Sequence, residues 1–371
     1  MNSTHLTSAH TRHDTRIFYK MCRSLVASGH QVNLVVADGM GNEKLHGVCI
    51  FDAGASNSRF DRIFNAPARV LSQALALDAD VYHLHDPELI PIGIKLKHRG
   101  KRVVFDSHED VPKQILGKPY LSKPLLWLLS KSYGIFESWA CKRFDGVIAA
   151  TPFIKDKFLP VNSNTVDINN FPILGELTST IPWQDKRDEV CYVGGIAKIR
   201  GIYEMCFAID QAQSGVRLNL CGDFVQSDLE KKVKATSGWR RVNEFGYVDR
   251  DGVRDVLQRS MAGLVTLHPV DNYIDSLPVK MFEYMSAGIP VIASDFPVWR
   301  EIIEGCNCGI CVDPGDPADI ARAIDFFVQN PDRAKLMGEN GRRAVQLHFN
   351  WSAEEAKLLR FYDLLLTQKV S

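Results

Sequence analysis

The stretch "DSLPVKMFEYMSAGIPVIASD", residues 275–295, predicts a helix followed by a strand and carries charges that packing alone does not require. Pro278 fits the first turn of a helix, where a missing N–H costs nothing, and Ser276 just before it is a candidate cap. Gly288 is a typical helix end. The helix therefore begins soon after Asp275 and presents free backbone N–H groups, which together with the helix dipole favour an anion.

Two charged residues inside this helix extend the anion site into a nucleotide site. Glu283 lies about five residues further in, roughly 8 Å along the axis at about 1.5 Å per residue. If a nucleoside diphosphate lies over the helix start, its ribose is near Glu283 and a sugar beyond the phosphates meets Asp275. Lys280 can reach the phosphates or pair with Glu283 at i, i+3. A core helix with a solvated charged edge gives the same spacing, so both interpretations stay open at this point.

Composition excludes several classes of protein. The chain has 371 residues and 45% hydrophobic residues, which is enough for two globular domains. Lys plus Arg equals Asp plus Glu at 44 each, so no overall positive field attracts nucleic acid, and no nucleic-acid partner is expected. No apolar run has the length of a membrane-spanning helix, and the N-terminus lacks a signal-peptide core. We expect a cytoplasmic protein.

The cysteines do not indicate a metal or a disulfide framework. There are nine, an odd number scattered along the chain, which fits free thiols in a reducing compartment. Cys306, Cys308 and Cys311 are close together, but the C-x-C-x-x-C pattern lacks a second half and a nearby histidine. We interpret them as buried or loop thiols and expect neither a metal nor a cofactor.

Alternating strands and helices predict an α/β protein with two doubly wound domains. Apolar strands such as "QVNLVVAD", "DVYHLHD" and "KRVVFDSH" alternate with amphipathic helices, and the rhythm restarts at "EVCYVGG" after a polar, proline-containing stretch that we take as the linker. The predicted domains are 1–175, 186–350 and a C-terminal helix at 351–371, which can pack back on the first domain. In such sheets ligands bind at the carboxyl ends of the strands, so the cleft between domains is the expected active site.

Several segments in this order resemble a known family. "FEYMSAGIPVIAS", "YVGGIAKIRG", "DVYHLHDPEL", "VVFDSHED", "NNFP" and "NPDRAKLMGENGRRAVQLHFNW" together are similar to the retaining GT-B glycosyltransferases with an E-x7-E signature, group 1 and family 4. The resemblance implies two Rossmann-like domains facing across a cleft. It also implies transfer of a sugar from a UDP- or GDP-sugar to a glycan or lipid-linked acceptor, without a metal. Assembly of a surface polysaccharide such as O-antigen, capsule or exopolysaccharide is the expected role.

The resemblance assigns the donor site to the second domain. Glu283 matches the second signature acid, which holds the ribose, and Asp275 stands for the first, one methylene shorter than the usual Glu. In the phosphate loop, Gly195 stands where the family commonly has arginine, and Arg200 where it has lysine. The expected catalytic residues are His85, Arg200 and Asp275. The expected donor-binding residues are Gly194, Gly195, Arg200, Ser276, Leu277, Pro278, Lys280 and Glu283.

The acceptor is expected on the first domain. His83 and His85 alternate along one predicted strand and therefore face the same side, at the carboxyl edge. The resemblance places His85 beside the transferred sugar, while a buried structural histidine is the alternative for both. The loop "SAHTRHDTRIF" lacks the glycines that the family often has there. The acceptor-side candidates are His13, Asp14, His108 and Glu109.

Two questions stay open from the sequence. Residues 113–144 interleave lysines with Leu, Trp and Tyr, which fits either a helix on an anionic bilayer or an intradomain helix with snorkelling lysines. The alternatives to a transferase are a nucleotide-sugar epimerase of the same architecture and a nucleotide-sugar-binding module that has lost activity. Asp275 and Gly195, which depart from the family pattern, are the reason to keep the inactive module.

Overall fold

The protein divides into two compact units. The first comprises Met1–Asn170 and the C-terminal segment from Ser352, and the second comprises Phe171–Trp351. Each unit is built on one sheet whose strands are mainly parallel, with helices between successive strands. The predicted fold class, an α/β protein with two Rossmann-like domains, is therefore confirmed. The computed structural model describes three stretches of the chain: 1–56, 58–118 and 121–367.

The N-terminal sheet is parallel except at one edge. Its strands are β1 (Asn2–Leu6), β2 (Gln31–Val36), β3 (Glu43–Leu45), β4 (Val48–Asp52), β5 (Val81–Leu84), β6 (Arg102–Ser107), β7 (Gly146–Ala149) and β8 (Thr165–Asp167). They lie in the order β3–β4–β2–β1–β5–β6–β7–β8, and only the short β3 runs antiparallel to its neighbour in the described sheet. The chain order reverses between β1 and β5, which is where ligands bind in open sheets of this kind.

The helices of the N-terminal unit follow the strands. Between β1 and β2 the chain forms a π-helical segment, Thr15–Cys22, which Asp14 caps by accepting from the backbone N–H groups of Arg16 and Ile17. No helix in the described part of the chain is both long and apolar enough to cross a membrane. The α-helices are α1 (Arg23–Ala27), α2 (Arg59–Phe64), α3 (Ala66–Leu77), α4 (Ile90–Lys97), α5 (Val111–Leu116), α6 (Lys123–Cys141) and α7 (Pro152–Phe158).

The C-terminal unit has a parallel sheet throughout its described strands. These are β9 (Glu189–Val193), β10 (Arg217–Cys221), β11 (Val242–Gly246), β12 (Ala262–Val265), β13 (Val291–Ser294) and β14 (Gly309–Val312), in the order β11–β10–β9–β12–β13–β14. The helices are α8 (Ile202–Gln211), α9 (Ser227–Lys234), α10 (Arg250–Arg259), α11 (Asp271–Ile274), α12 (Val279–Ala287), α13 (Pro297–Gly305), α14 (Pro317–Gln329) and α15 (Pro331–Leu347). The last helix, α16 (Trp351–Thr367), leads back to the N-terminal unit.

The helix α12 is buried on nearly every side because it lies inside the unit. All residues from Met281 to Ala287 are buried, and the helix ends at Gly288 in the left-handed conformation, as predicted. Phe282 and Trp299 are among the largest fully buried side chains of this unit. Burial of each such side chain contributes about 1.5–3 kcal/mol, so α12 is fixed mainly by packing.

Several short strands and one boundary were not predicted. The sequence pattern missed the edge strands β3, β8 and β14 and the strand β4 next to β3, which have three to five residues each. The stretch 174–188, expected to be a linker, instead packs on the C-terminal unit. Leu177 is fully buried there, and the Lys186 ammonium donates to the last carbonyls of α10.

Candidate functional site

Glycines bring two strand-end loops of the C-terminal unit into close contact. Gly194 follows β9 and Gly222 follows β10, with φ of 126° and 129°. A Cβ on Gly222 would lie 2.2 Å from the carbonyl oxygen of Gly194, and a Cβ on Gly194 would lie 3.2 Å from the Lys280 Nζ atom. Only glycine fits this approach. The backbone at the strand ends is therefore open to a ligand.

A pocket of about 560 Å³ opens at these loops. This volume suits a small organic ligand, and a lining of backbone and apolar side chains is typical of such sites. Gly194 and Gly195, both predicted in the donor site, lie in its wall. The lining residues are Val193, Gly194, Gly195, Cys221, Gly222, Asp223, Phe224, Val225, Tyr247 and Val248.

Two cations converge beside this pocket. The Arg200 Nη1 atom donates to the carbonyl of Gly195 at 2.7 Å, and the Tyr192 hydroxyl donates to the same carbonyl at 2.9 Å. Lys280 donates to the Tyr192 hydroxyl at 3.3 Å, and its ammonium lies 4.4 Å from the centre of the Tyr192 ring. Within the described ranges no carboxylate forms an ion pair with Arg200 or Lys280. The arrangement leaves positive charge available for an anion.

Burial changes the protonation of these groups. Burial, together with the neighbouring Arg200 guanidinium, lowers the pKa of Lys280 to about 7, although Glu283 acts in the opposite direction. Burial also raises the pKa of Tyr192 to about 12, although Arg200 acts in the other direction. Near neutral pH, Lys280 is therefore close to half protonated.

Glu283 is held by an arginine that the sequence analysis did not identify. The Glu283 Oε1 atom accepts from Arg250 Nη1 at 2.7 Å, and Arg250 is paired with both oxygens of Glu176 at 2.8 Å. The alternative pairing of Glu283 with Lys280 is not formed. Among the described residues none donates to Glu283 Oε2, so this oxygen can accept from a ligand. Arg250 gives no signal in the sequence, because its role follows from the packing of α10 beside α12.

The segment that enters α12 differs from the prediction in one respect. Ser276 does not cap the helix: its hydroxyl donates to the carbonyl of Tyr273 at 2.9 Å, at the end of α11. The N-cap position is taken by Pro278, directly before α12, and Asp275 directly follows α11. The indole of Trp299 donates to the Ser276 carbonyl at 2.6 Å, which anchors this turn. Leu277 packs against the apolar core beneath.

In the N-terminal unit, Asp106 at the end of β6 is the centre of a buried cluster. Its carboxylate accepts from Arg16 Nε at 2.9 Å and Nη2 at 2.7 Å, and it contacts His108 Nε2 at 2.9 Å and His85 Nδ1 at 3.2 Å. The pKa of Asp106 lies well below its usual range, because Arg16 and the histidines outweigh the opposing effect of burial. Asp106 is therefore ionised.

Two further histidines and a tyrosine complete the cluster. His5 on β1 pairs in register with His83 on β5, and His5 Nδ1 lies 2.9 Å from His85 Nε2. The Tyr362 hydroxyl, from α16, lies 2.8 Å from His83 Nδ1 and 3.4 Å from His5 Nε2. His83 and His85 stack at 4.4 Å between ring centres, so their predicted common face is confirmed. Tyr362 was not predicted.

The same side chains are the described groups whose ligand atoms could hold a metal. One group is His5, His83 and His85, and the other is His85, Asp106 and His108, each with its ligand atoms within 4.8 Å of one another. The planes of the His5 and His85 rings are 16° apart, and His5 Nδ1 faces His85 Nε2 at 2.9 Å. These two nitrogens are therefore joined by a hydrogen bond. The first group therefore suits hydrogen bonding better than a metal.

The acceptor-side candidates differ in exposure. The side chain of His85 is buried and both its nitrogens have partners, so its expected contact with the sugar stays a prediction. His108 keeps 19% of its side chain exposed and is the accessible member of the cluster. The other candidates are engaged locally: Asp14 caps the π-helical segment and contacts His10, His13 lies 3.7 Å from Glu43, and Glu109 accepts from Gln114.

Comparisons with known proteins identify the family and its fold. The family described as "Glycosyl transferases group 1" matches residues 176–344, and "Glycosyltransferase Family 4" matches residues 15–166. The chain belongs to the GT-B glycosyltransferases of group 1 and family 4.

Individual relatives agree with this family. A glycogen synthase of Mycobacterium tuberculosis is 21% identical over 248 residues, covering 63% of this chain and 58% of the relative, so the match spans little more than half of that protein. The structure of a sucrose-phosphate synthase from Thermosynechococcus elongatus matches with a TM-score of 0.79 at 19% identity, over 98% of this chain and 99% of that one. Anabaena HepE in complex with UDP-glucose matches with a TM-score of 0.76 at 15% identity, over 98% and 100%.

Proposed function

We propose that this protein transfers a sugar from a nucleoside diphosphate sugar to a hydroxyl group of a glycan or lipid-linked acceptor, with retention of configuration, in the assembly of a surface polysaccharide. The observation that supports this most is the pair of cations, Arg200 and Lys280, beside the strand-end pocket and without carboxylate partners in the described chain. A diphosphate is the ligand that such a site fits best. The UDP-glucose bound to the structural relative HepE is of this chemical class.

The reaction needs charge stabilisation on the leaving diphosphate more than it needs a nucleophile. Negative charge grows on the diphosphate as its bond to the sugar breaks, and preorganised cations and amides act directly on that charge. Arg200 offers a planar fork, Lys280 a point charge, and α12 the free N–H groups of its first turn. These groups supply the stabilisation without a metal. Asp275 is the proposed contact to the donor sugar.

A panel of nucleotide sugars tests the proposal. UDP-, GDP-, ADP- and TDP-sugars are added to the purified protein, and both thermal stabilisation and release of free nucleoside diphosphate are measured. We expect one nucleotide to raise the melting temperature and its sugar conjugate to release the diphosphate slowly even without an acceptor. If no member of the panel stabilises the protein, the proposal is wrong.

The same panel separates the alternatives. An epimerase changes the configuration of the sugar, either while the sugar stays bonded to the diphosphate or by eliminating the diphosphate during the reaction. Chromatography of the recovered sugar detects the change. A binding module that has lost activity is stabilised by a nucleotide but releases none of it. Only a transferase passes the sugar to an added glycan acceptor.

Glu283→Gln is expected to weaken nucleoside diphosphate binding by about ten-fold or more. The free Glu283 oxygen, Oε2, is placed to accept from the ribose, and a hydrogen bond to a charged group contributes about 1.5–3 kcal/mol. Calorimetric titration with the nucleotide found in the panel measures the change. Glu176→Gln is the matched control, because Glu176 binds the same Arg250 guanidinium but has no proposed contact with the ligand. Equal affinities of the two variants would contradict the ribose contact.

We also propose that the outer face of α6 binds an anionic membrane surface and so brings a lipid-linked acceptor to the N-terminal unit. Trp127, Leu128, Ile135 and Trp139 are exposed large apolar residues at helical spacing on one side, with Ile135 72% exposed. Exposed cations accompany them, and the only acid of α6, Glu137, is buried against Lys157. This combination of apolar and basic residues fits anionic lipid headgroups. Residues 119 and 120 of the predicted membrane segment lie outside the described residues. The exposed cations are Lys123, Lys131, Lys142 and Arg143.

The double variant Leu128→Ser, Ile135→Ser is expected to reduce sedimentation with phosphatidylglycerol vesicles by about ten-fold. Both side chains are exposed, so the fold should be unaffected, while their loss removes apolar area from the contact. Leu347→Ser, an exposed leucine of the C-terminal unit, is the control and should bind vesicles like the parent. Binding by the double variant at the parent level would refute the membrane surface.

A further inference from the structure

The hydrogen bonds between histidine rings in the buried cluster determine which nitrogen of each ring carries its proton. A hydrogen bond between two ring nitrogens needs a proton on one of them and a lone pair on the other. Burial lowers the pKa of His5, His83 and His85, so all three rings are neutral and each carries a single proton. The position of one proton therefore determines the next.

Asp106 fixes the first step of this order. Its ionised carboxylate can only accept, so the nitrogen of His85 that faces it, Nδ1, carries the proton. The other nitrogen, His85 Nε2, then has a lone pair and accepts from His5 Nδ1 at 2.9 Å. His5 is therefore also protonated on Nδ1.

Tyr362 continues the order through its hydroxyl group. The unprotonated His5 Nε2 accepts from the Tyr362 O–H at 3.4 Å, and the Tyr362 oxygen in turn accepts from His83 Nδ1 at 2.8 Å. His83 Nε2 is left with a lone pair, and it has no partner among the described residues. Every N–H and O–H proton of these hydrogen bonds is then donated to an acceptor. His5, His83 and His85 each carry their single ring proton on Nδ1.

In either order His83 Nε2 has no partner among the described residues: it keeps a lone pair in the first order and a proton if the Tyr362 hydroxyl donates to His83. The opposite order adds a second defect. If His5 donates from Nε2 to the Tyr362 oxygen, His85 must donate from Nε2 to His5, and its bare Nδ1 faces the Asp106 carboxylate at 3.2 Å. An unpaired buried polar group costs about 1–3 kcal/mol, so the first order is the stable one.

His108, the accessible histidine of the cluster, binds the same carboxylate as His85. His108 donates from Nε2 to the same Asp106 oxygen that accepts from His85 and from Arg16 Nε. Within the described ranges no hydrogen bond is formed to its second nitrogen, Nδ1. A histidine oriented by a buried carboxylate and presenting its other nitrogen has the arrangement of a general base.

We propose that His108 takes the proton of the acceptor hydroxyl, and that His5 and Tyr362 are positioning residues which hold His85 and Asp106 so that His108 keeps Nδ1 unprotonated. This catalytic role rests on the proposed function, whereas the proton order does not. In the step, the hydroxyl proton passes to His108 Nδ1, and an electron pair of the hydroxyl oxygen forms the bond to the anomeric carbon on the face from which the diphosphate departs, so that the configuration is retained. The pair of the breaking carbon–oxygen bond leaves with the nucleoside diphosphate.

Nitrogen NMR of the free protein tests the proton order directly. The 11 histidines are labelled with ¹⁵N and long-range ¹H–¹⁵N correlations are recorded at neutral pH, with each ring assigned by substitution of that histidine. We expect His5, His83 and His85 to be protonated on Nδ1 and His108 on Nε2. The exposed His98 is the reference for a ring in water. A proton on Nε2 of His5 or His85 overturns the proposed order, whether or not the protein is a transferase.

A matched pair of tyrosine variants tests the positioning role. Tyr362→Phe removes the hydroxyl that pins His5, while Tyr133→Phe removes a buried hydroxyl that has no partner in the described chain. We expect Tyr362→Phe to change the His5 nitrogen shifts and to lower kcat for release of UDP from UDP-glucose, or of the nucleotide that the panel selects, at least several-fold with unchanged donor KM. Tyr133→Phe should do neither. Equal kcat values of the two variants overturn the positioning role, and no release by the parent protein overturns the proposed function but not the proton order.

Discussion

Replacing Arg200 by alanine is expected to lower turnover of the nucleotide sugar by about two or more orders of magnitude. Loss of one preorganised group that stabilises developing charge typically costs a factor of 10² to 10³ in kcat. Steady-state release of nucleoside diphosphate measures the effect, with kcat and the donor KM determined separately. The main loss is expected in kcat, because the charge on the diphosphate is greatest after the bond to the sugar has begun to break.

The geometry of Arg200 explains why lysine should not replace it fully. Its Nη1 atom donates to the Gly195 carbonyl at 2.7 Å, which orients the guanidinium plane. A lysine ammonium keeps the charge but lacks the planar fork, so Arg200→Lys should lie between the parent and the alanine variant. Arg322→Ala, at an exposed arginine of the same unit, is the control for loss of a charge as such. Turnover of Arg200→Ala within a few-fold of the parent, with the fold intact, would refute the assignment.

The local pattern of α12 was sufficient to predict the helix but not its partners. Gly288 and the apolar run before it determine where the helix ends and why it is buried, and both are local properties of the sequence. The carboxylate of Glu283 was recognised as a ligand group, yet its partner Arg250 lies 33 residues away in the chain. Ser276 is the opposite case. It lies at a typical capping distance before α12, but its hydroxyl donates to the preceding turn instead. Such pairings depend on tertiary packing.

The histidine cluster illustrates the same limit for the N-terminal unit. Alternation along one strand was enough to place His83 and His85 on a common face. His5 joins them because β1 lies beside β5, and the order of strands in a sheet cannot be read from a period-two pattern. Tyr362 lies on α16, at the other end of the chain, 279 residues from its partner His83. The edge strands β3 and β8 were missed because three residues are too few to show alternation.

The affinity for nucleoside diphosphate is expected to fall as the pH rises from about 7 to 9, and Lys280 is the reason. Burial and the Arg200 charge hold the pKa of Lys280 at about 7 in the free protein, so above that pH the amine is mostly neutral. A diphosphate bound beside it favours the ammonium form and raises its pKa. Binding above pH 7 therefore takes up a proton.

The sign of the pH dependence follows from this proton uptake. Below the free-state pKa, Lys280 is already charged and its attraction for the ligand is fully present. As the pH rises above the free-state pKa towards the higher pKa of the complex, binding takes up close to one proton, and the affinity falls by up to about ten-fold per pH unit. Tyr192 does not titrate in this window, because burial raises its pKa to about 12.

Titration calorimetry at pH 8 in two buffers of different ionisation enthalpy counts the protons taken up. We expect close to one proton for the parent and none for Lys280→Arg, which stays charged and should bind with nearly constant affinity from pH 7 to 9. Cys306→Ser is the matched control, because a hydrogen bond with Cys308 lowers the pKa of Cys306 to about 7 although it does not line the pocket. This variant should keep the slope of the parent. A flat affinity profile in the parent, or a slope that persists in Lys280→Arg, would show that Lys280 does not bind the diphosphate as a cation.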